Sequence, residues 1–304
     1  MNFETHFVQE YKAGLDMVCQ QLSSKTREAT TPTTVQGERA SFDEIGSVSM
    51  QPRGGRATDL PRVETPNTRR WLSHDAFAVS DYIDKLDTVR MLNNPTSSIV
   101  QAFGAAAARH IDYVTLRAAI GTVYTGKDGT TPVALPSAQK IAAGGTGFTY
   151  AKLRETVRRL RQRNALMPGD TIHVYMTSKQ EEAFIDTTEM KSSDYNNKKV
   201  LVNGGLDGDT FYACQFHIID DYFDESAGTV SYMLPWSSSV RSCIAWVKSG
   251  VKLAVPAMDG DVVWIPEKYS TFVSAILDVG AYRANDRKVI QIDVAESQPT
   301  FAGG

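Results

Sequence analysis

The residue types that most often carry chemistry are few and scattered in this sequence. The histidines are His6, His74, His110, His173 and His217, and none has a histidine or cysteine neighbour at the spacing of a zinc-ligand pair. The cysteines are Cys19, Cys214 and Cys243; they form no Cys-x-x-Cys pair, so they predict buried thiols in a reducing compartment. We expect no metal site among these groups, and at His110 and His173 a structural role is favoured over a ligand.

Two glycine-rich segments come nearest to a phosphate-binding loop. GGTG at 144–147 lacks the Lys-Ser/Thr of a P-loop, and NGGLDGD at 203–209 is followed by a strand-like run instead of a capped helix. No G-x-S-x-G motif is present, and the acidic stretches lack the alternating oxygen ligands of a calcium loop. The sequence therefore predicts turns here, with no catalytic residue and no cofactor. A cytosolic α+β enzyme with an unrecognised site in these loops is an open alternative.

The strongest basic cluster lies in a segment with helical periodicity. Residues 152–163 carry Lys152, Arg154, Arg158, Arg159, Arg161 and Arg163 against one acid, Glu155. Such a helix could contact the phosphates of RNA or DNA, but the segment lacks interleaved aromatic residues for stacking. The formal net charge of −3 also argues against a dedicated nucleic-acid-binding protein. A solvated face, or one that pairs with acids of a neighbouring subunit, is favoured over a nucleic-acid-binding module.

A second cationic segment, SMQPRGGRATDLPRVETPNTRR at 49–70, has no residues from which to build a core. It contains five arginines, three prolines and only two acids, and strand-like runs flank it on both sides. The residue pattern alone is compatible with a solvated loop or with a contact to another molecule.

The elements that would position these segments follow from hydrophobic periodicity. A helix with one apolar stripe is predicted at 3–22, and it is either an arm that docks on another molecule or a helix packed on its own domain. The longest predicted helix lies between Asn94 and Gly121, and the glycine- and proline-rich residues 122–149 predict a loop. No apolar run approaches the roughly 20 residues that span a bilayer, and the polar N-terminus is not typical of a secretory signal.

The remaining elements are a helix, a buried strand and a shorter helix, followed by a strand-rich C-terminal third. YAKLRETVRRLRQRNAL, TIHVYMT and SKQEEAFIDTTEM predict the first three. VKLAVPAM and DVVWIPE predict two short strands separated by a turn, and TFVSAILDVGAYRA with KVIQIDVAES predicts a long antiparallel hairpin.

With its elements in this order, the chain resembles the major capsid proteins of tailed bacteriophages, which have the Hong Kong 97-type fold. DYIDKLDTVRMLNNPTSSIVQAFGAAAARHIDYVTLRAAIGTVYTG resembles the strand, Asn-Pro turn and spine helix of that family. LRETVRRLRQRNALMPGDTIHVYMTSKQEEAFI resembles the helix–strand–helix segment of its axial domain, and DVGAYRANDRKVIQIDVAES resembles its closing hairpin.

The resemblance implies an α+β fold in five parts. These are an N-terminal arm at 1–38, an extended E-loop hairpin at 39–76, a peripheral domain with the spine helix at 77–149, an axial domain at 150–270, and a return to the peripheral domain at 271–304. In this family the E-loop lies over a neighbouring subunit, where arginine forks can pair with carboxylates. The intersubunit contacts expected from the arm and the E-loop are Phe3, Phe7, Tyr11, Arg53, Arg56, Arg62, Arg69, Arg70 and Trp71.

The resemblance also implies a structural protein of the virion, without enzymatic activity. Its hexamers and pentamers would form the icosahedral head around double-stranded DNA, assembled in the host bacterial cytoplasm without a membrane. It further implies a scaffolding protein in trans and a portal protein, and it leaves a decoration protein open. An encapsulin-like compartment with the same fold is the nearest alternative, although the threonine-rich linker after the first helix favours the viral interpretation.

Overall fold

The structure is a computed structural model, and it describes residues 21–56, 59–60, 62–85, 96–187, 205–224 and 228–297. The chain divides into two compact units. The first unit lies within residues 1–24, 75–111 and 255–279, and the second within residues 25–74, 112–254 and 280–304.

The described residues form three α-helices, α1 (Thr96–Ile120), α2 (Tyr150–Gln162) and α3 (Ser178–Ile185). The strands are β1 (Thr31–Pro32), β2 (Arg39–Ile45), β3 (Asn67–Ser73), β4 (Asp75–Asp84), β5 (Val123–Thr125), β6 (Thr131–Val133), β7 (Lys140–Ile141), β8 (Ile172–Met176), β9 (Thr210–Phe211), β10 (Cys214–Ile218), β11 (Tyr222–Asp224), β12 (Thr229–Ser231), β13 (Trp236–Ser237), β14 (Val240–Val247), β15 (Val251–Ile265), β16 (Ser270–Arg283) and β17 (Val289–Ala295). No helix in this described part is long and apolar enough to cross a membrane.

The second unit is built on a seven-stranded mixed sheet. Its order is β7-β17-β14-β8-β10-β9, with β13 paired to the free part of β14. β8 and β10 are parallel, which requires the crossover that α3 helps to provide, while β14 is antiparallel to β8 and β17. β14 therefore lies at the centre of the sheet, and seven of its eight residues are buried.

Both faces of this sheet are covered, because side chains alternate between them along each strand. On β14, Cys243 and Ala245 join the core that includes Leu153, Val157 and Leu160 of α2, as the periodicity of that helix predicted. The intervening residues Ile244 and Trp246 join a second core with Leu116 and Ala119 at the end of α1. Cys214 and Cys243 are buried free thiols, as predicted, and Cys19 lies outside the described residues; burial raises the pKa of the Cys214 thiol to about 12.

The first unit contains β4, most of β16 and the second part of β15. β4 and β16 are antiparallel, in a register that runs from Asp84 opposite Ser270 to Asp75 opposite Val279. β15 is the neighbour of β16 in the sheet order. The prediction of two short strands in this region is wrong, because β15 continues through Asp259 and Gly260. Gly260 has no positive φ and lies beside the Ser274 carbonyl of β16, so strand pairing overrides the local turn signal.

Two further local predictions are wrong. The expected hairpin between β16 and β17 does not form, since β16 pairs with β4 and β15 while β17 pairs with β14 and β7. Residues 122–149 are not a continuous loop, because β5 and β6 pair with each other and extend the β2–β3 ladder into a four-stranded sheet.

Two of the histidines that are isolated in sequence become neighbours in the central sheet. The parallel pairing of β8 and β10 places His173 Nδ1 3.1 Å from His217 Nε2, and the His217 ring stacks on Tyr175. Desolvation, aided by His217 and Lys248, lowers the pKa of His173 to about 4, and desolvation also lowers the pKa of His217. Both rings are therefore neutral in the folded chain at neutral pH.

This pair predicts a specific loss of stability on acidification. Between pH 6.5, the ordinary value for histidine, and about pH 4, the unfolded chain binds a proton at His173 that the folded chain does not. The free energy of unfolding should fall as the pH drops through that window, by roughly 2–3 kcal/mol from this site. The H173Q variant should show a shallower decline in the free energy of unfolding than the wild type, measured by chemical denaturation between pH 7 and 4. Parallel declines for H173Q and wild type would contradict this assignment.

Candidate intersubunit contact region

The arginine-rich segment is the connection of a β-hairpin. β2 and β3 pair antiparallel from Arg39 opposite Ser73 to Ile45 opposite Asn67, and the Gly46 amide donates to the Pro66 carbonyl at 2.7 Å. All described residues between 47 and 66 are exposed and belong to no strand or helix. We call residues 47–65 the hairpin loop. A segment of this length without a core of its own is usually a binding loop or a linker.

The five arginines of the segment fall into two groups. Arg53, Arg56 and Arg62 lie in the hairpin loop with exposed side chains, and within the described residues no carboxylate lies within 4.0 Å of them. Arg69 and Arg70 instead lie in β3 and have partners in their own chain. The intersubunit contacts expected at all five positions stay predictions, and those expected at Phe3, Phe7 and Tyr11 lie outside the described residues.

Arg69 and Arg70 point to opposite sides of β3, as successive strand residues must. Arg69 donates to both oxygens of Asp43 on β2, at 2.6 and 2.8 Å, and this exposed pair lowers the pKa of the Asp43 carboxyl through its hydrogen bonds. Arg70 is only 8% exposed and donates to both oxygens of Asp286, at 3.0 and 2.9 Å. Little of its guanidinium is left for a neighbouring subunit.

Asp286 links the hairpin to the end of α1. It also accepts from Arg283, a fully buried residue that donates to the carbonyls of Ala119 and Gly121. Arg283 thereby satisfies carbonyls that the helix end leaves unpaired. Burial alone would raise the pKa of Asp286, but the hydrogen bonds from Arg70 and Arg283 outweigh it and lower the pKa. The base of the hairpin is therefore held by partly buried ion pairs.

Trp71, the last predicted contact residue, packs on the β5–β6 turn of its own unit. Its indole Nε1 donates to the Gly126 carbonyl at 2.8 Å. Gly129 lies against the ring at a φ of +67°, and a Cβ atom there would be 2.9 Å from the indole. Trp71 is half-buried, and its expected contact with a neighbouring subunit stays a prediction.

The segment that leads from the N-terminal region into β1 and β2 is anchored on α1. Asp112, which is fully buried, accepts from the Lys25 and Thr26 amides at 3.0 Å and from the Thr26 hydroxyl at 2.7 Å. Asp112 belongs to the ARHID sequence that supported the resemblance, but its anchoring contact lies 86 residues away in sequence from Thr26. The sequence pattern gave no indication of this contact between Asp112 and Thr26.

The most informative feature missed by the sequence analysis is the apolar content of the hairpin loop. Met50 is fully exposed, and Leu60 and Val48 are 79% and 54% exposed. Among the described residues, these side chains belong to no core cluster of their own unit. Clustered exposed apolar residues mark surfaces that are buried in an assembly. The signal was available in the sequence as hydrophobic residues inside a segment rich in proline and glycine.

The alternative sites that the sequence left open acquire structural roles in the described residues. At the GGTG segment, Lys152 Nζ donates to four carbonyls, those of Ala143, Thr146, Gly147 and Asp293, at 2.8 to 3.1 Å. A ring of carbonyls filled by an ammonium group cannot hold a phosphate. At the second segment, Asp207 accepts from Lys25 and from the Ile218 amide. No group of three or more metal-ligating side chains is found in the part of the chain that is described.

The basic face of α2 is also largely used within the subunit. Glu155 accepts from Arg158 and Arg159, whose hydrogen bonds lower the pKa of its carboxyl to about 2, and Arg159 also donates to the Ala138 and Lys140 carbonyls. The folded chain does supply the aromatic neighbours that the segment lacks in sequence. Tyr150 and Tyr212 lie about 6 Å from the guanidinium groups of Arg154 and Arg161.

Comparisons with known proteins agree on one family. A family model described as phage capsid protein matches residues 3–296. No curated protein sequence matches at a significant level. Among solved structures, the capsid of Ralstonia phage GP4 is similar over 99% of this chain and 98% of its own, with a TM-score of 0.68 and 14% identity. The capsid of cyanophage P-SCSP1u is similar over 96% of this chain and 94% of its own, with a TM-score of 0.69 and 13% identity. The head structure of Helicobacter pylori bacteriophage KHP40 is similar over 97% of this chain and 98% of its own, with a TM-score of 0.69 and 12% identity. The fold is thus the Hong Kong 97-type capsid fold expected from the sequence.

Proposed function

Since the chain belongs to the phage capsid protein family, we propose that it assembles into the hexamers and pentamers of an icosahedral head that encloses double-stranded DNA. The family match over residues 3–296 is the observation that carries this proposal. The similar solved structures are described as capsids or heads of phages, and their chains are covered almost completely.

The geometry of the subunit supports an assembly in which each hairpin loop contacts a neighbour. The loop exposes arginines and apolar side chains together, while the β2–β3 ladder and the Asp286 ion pairs hold its base rigid. A base held by these contacts and a loop without a core suit reversible association, because the contacts of the loop form only when a neighbouring subunit is present. The subunit then folds independently and gains its intersubunit contacts during assembly.

We place the protein in the virion, after assembly in the cytoplasm of a bacterial host. A scaffolding protein in trans and a portal protein would be its partners during assembly, and the DNA would be packaged into the finished shell. These partners come from the family resemblance and stay predictions. Arg154 and Arg161, with their tyrosine neighbours, are the exposed basic residues of α2 that a DNA contact would use first.

The direct test is electron microscopy of the purified protein, expressed alone and together with the neighbouring genes of its source. We expect closed, faceted particles of tens of nanometres, or rings of five and six subunits. Nucleic acid of genomic length inside the particles would favour a virion, and an enclosed enzyme would favour an encapsulin-like compartment. A monomer or dimer under every condition would refute the proposal.

A further inference from the structure

A cavity of about 200 Å³ lies beside the base of the hairpin, within the second unit. Its walls come from β2 and β3, from the start of β15, and from the turn after β16. Phe42 and Tyr282 form an apolar wall, with stacked rings whose centroids are 5.3 Å apart. Around this wall lie charged and polar groups, three of them cations. The cavity is therefore shaped for a small group that is apolar on one side and polar on the other.

Two hydrogen-bond donors at this cavity have no partner among the described residues. They are the Tyr282 hydroxyl and Arg70 Nε, which faces Glu44 Oε2 at 3.9 Å, beyond hydrogen-bond distance; both residues are more than nine-tenths buried. Buried polar groups in folded proteins are nearly always hydrogen-bonded, so two such groups at one cavity indicate an absent acceptor. Burial also raises the pKa of Tyr282, so the hydroxyl stays protonated and able to donate at neutral pH.

The cavity also carries two ammonium groups that form no ion pair with the described residues of the subunit. The Lys252 ammonium lies 4.9 Å from the Phe42 ring centroid, and the Lys288 ammonium is 2.6 Å from the Ser249 hydroxyl. Across the described residues, no carboxylate lies within 4.0 Å of either ammonium. Of the carboxylates that line the cavity, Asp43 accepts from Arg69, whereas Glu44 accepts from Asn285 and lies 3.9 Å from Arg70 Nε, so neither is paired with a lysine. An acceptor that enters this site is therefore favoured if it is negatively charged.

We propose that the cavity binds a carboxylate side chain from the hairpin loop of a second copy of this chain. The carboxylate would accept from the Tyr282 hydroxyl and Arg70 Nε and would be neutralised by Lys252 and Lys288. Charge-assisted bonds of this kind are about twice as strong as neutral ones. The inference rests on the proposed function, because the second copy is the neighbouring subunit of the shell.

The hairpin loop supplies suitable carboxylates. Asp59 and Glu64 are exposed, and no basic side chain of the described residues lies within 4.0 Å of either. Leu60 and Val63 are next to them in sequence and are also exposed, at 79% and 39%. An acid with an adjacent apolar side chain matches a cavity that has donors on one side and aromatic rings on the other. A phosphate group would use the donors but not the aromatic wall.

The sharpest test is Y282F, which removes the unpartnered hydroxyl and keeps the ring stacked on Phe42. Removal of an unsatisfied buried hydroxyl should leave the melting temperature of the isolated subunit unchanged or raise it. The same variant should raise the critical concentration for assembly, measured by light scattering, about tenfold or more, as expected for a lost bond to a charged group. K252Q should act in the same direction, and K127Q, an exposed lysine of the β5–β6 turn, is the matched control. Assembly of Y282F and K252Q at the wild-type concentration would overturn the proposal.

The source of the carboxylate is tested from the other side of the contact. The double variant D59N/E64Q should raise the critical concentration as far as Y282F does, and Y282F should add little to it. A charge exchange, K252E with E64K, should recover part of the assembly that K252E loses. If D59N/E64Q assembles normally while free N-acetylglutamate binds the subunit at millimolar concentration, the ligand is a free carboxylate and the second copy is refuted. Binding of inorganic phosphate with no response to N-acetylglutamate would refute the carboxylate as well.

These outcomes are separate from failure of the proposed function. If the wild-type chain forms no particles or rings, the function fails, and the binding of N-acetylglutamate to the subunit still reports on the cavity. If wild-type particles form and the cavity variants assemble normally, the function stands and this inference fails.

Discussion

Replacement of Arg241 by methionine is expected to destabilise the subunit by about 3–5 kcal/mol, the range for breaking a buried ion pair from one side. Arg241 is 1% exposed and lies between two carboxylates that are equally buried, Asp221 at 2.6 Å and Glu296 at 2.8 Å. It also donates to the Leu234 carbonyl. Without the guanidinium, both carboxylates would stay buried with their charges uncompensated, because Gln180 and Thr177 supply only neutral donors to Glu296.

Urea denaturation of R241M and wild type measures this loss directly. The control is R287A, at an exposed arginine with no ion pair in the described residues. It should unfold at the same urea concentration as the wild type. The triple variant R241M/D221L/E296L should recover part of the stability, since it removes both uncompensated carboxylates but leaves Gln180 and Thr177 without their acceptor. If the free energy of unfolding of R241M lies within about 0.5 kcal/mol of the wild-type value, the ion pairs of Arg241 contribute little to stability.

The elements that could be predicted from sequence are those that local periodicity determines. α1, α2, β8 and α3 lie close to their predicted positions, because each carries a continuous apolar pattern and a clear stop signal. β16 and β17 were located correctly, but they were predicted to pair with each other, which is wrong. β16 pairs with β4, which is almost 200 residues earlier in the chain, and β17 pairs with β14. Alternating patterns indicate that a strand exists, but they do not specify which distant strand completes its ladder.

In the candidate contact region, too, local sequence predicted the type of segment, and distant partners determined the contacts of its side chains. A coreless cationic segment between two strands could be predicted, since composition alone excludes a packed core there. The inward position of Arg70 could not be predicted, because its partner Asp286 is 216 residues away in sequence. Nothing in the residues near Arg70 distinguishes it from Arg69. The cavity with Tyr282, Lys252 and Lys288 likewise arises from segments that meet only in the folded chain. Sequence patterns located the surface, and the long-range contacts determine which of its side chains are free.

The base of the hairpin makes it possible to remove the loop without unfolding the subunit. The ladder ends at Ile45 opposite Asn67, and Gly46 and Pro66 already approach each other across a 2.7 Å hydrogen bond. A two-residue Asn-Gly turn in place of residues 47–65 suits the short connection that antiparallel strands accept. A longer deletion of residues 49–70 would be a poorer test, because it would remove the first four residues of β3 and the Arg70–Asp286 ion pair along with the loop.

The chain with this short turn is expected to fold with the melting temperature of the wild type and to form no closed shells at ten times the wild-type critical concentration. Circular dichroism and denaturation would establish the fold, and light scattering with electron microscopy would measure assembly. A second variant, which keeps the length of the loop but replaces residues 47–65 by glycine and serine, should fail in the same way, because the expected contacts are made by side chains. If this second variant assembles and the short-turn variant does not, the loop acts only as a spacer. Normal particles from both variants would place the intersubunit energy outside the hairpin.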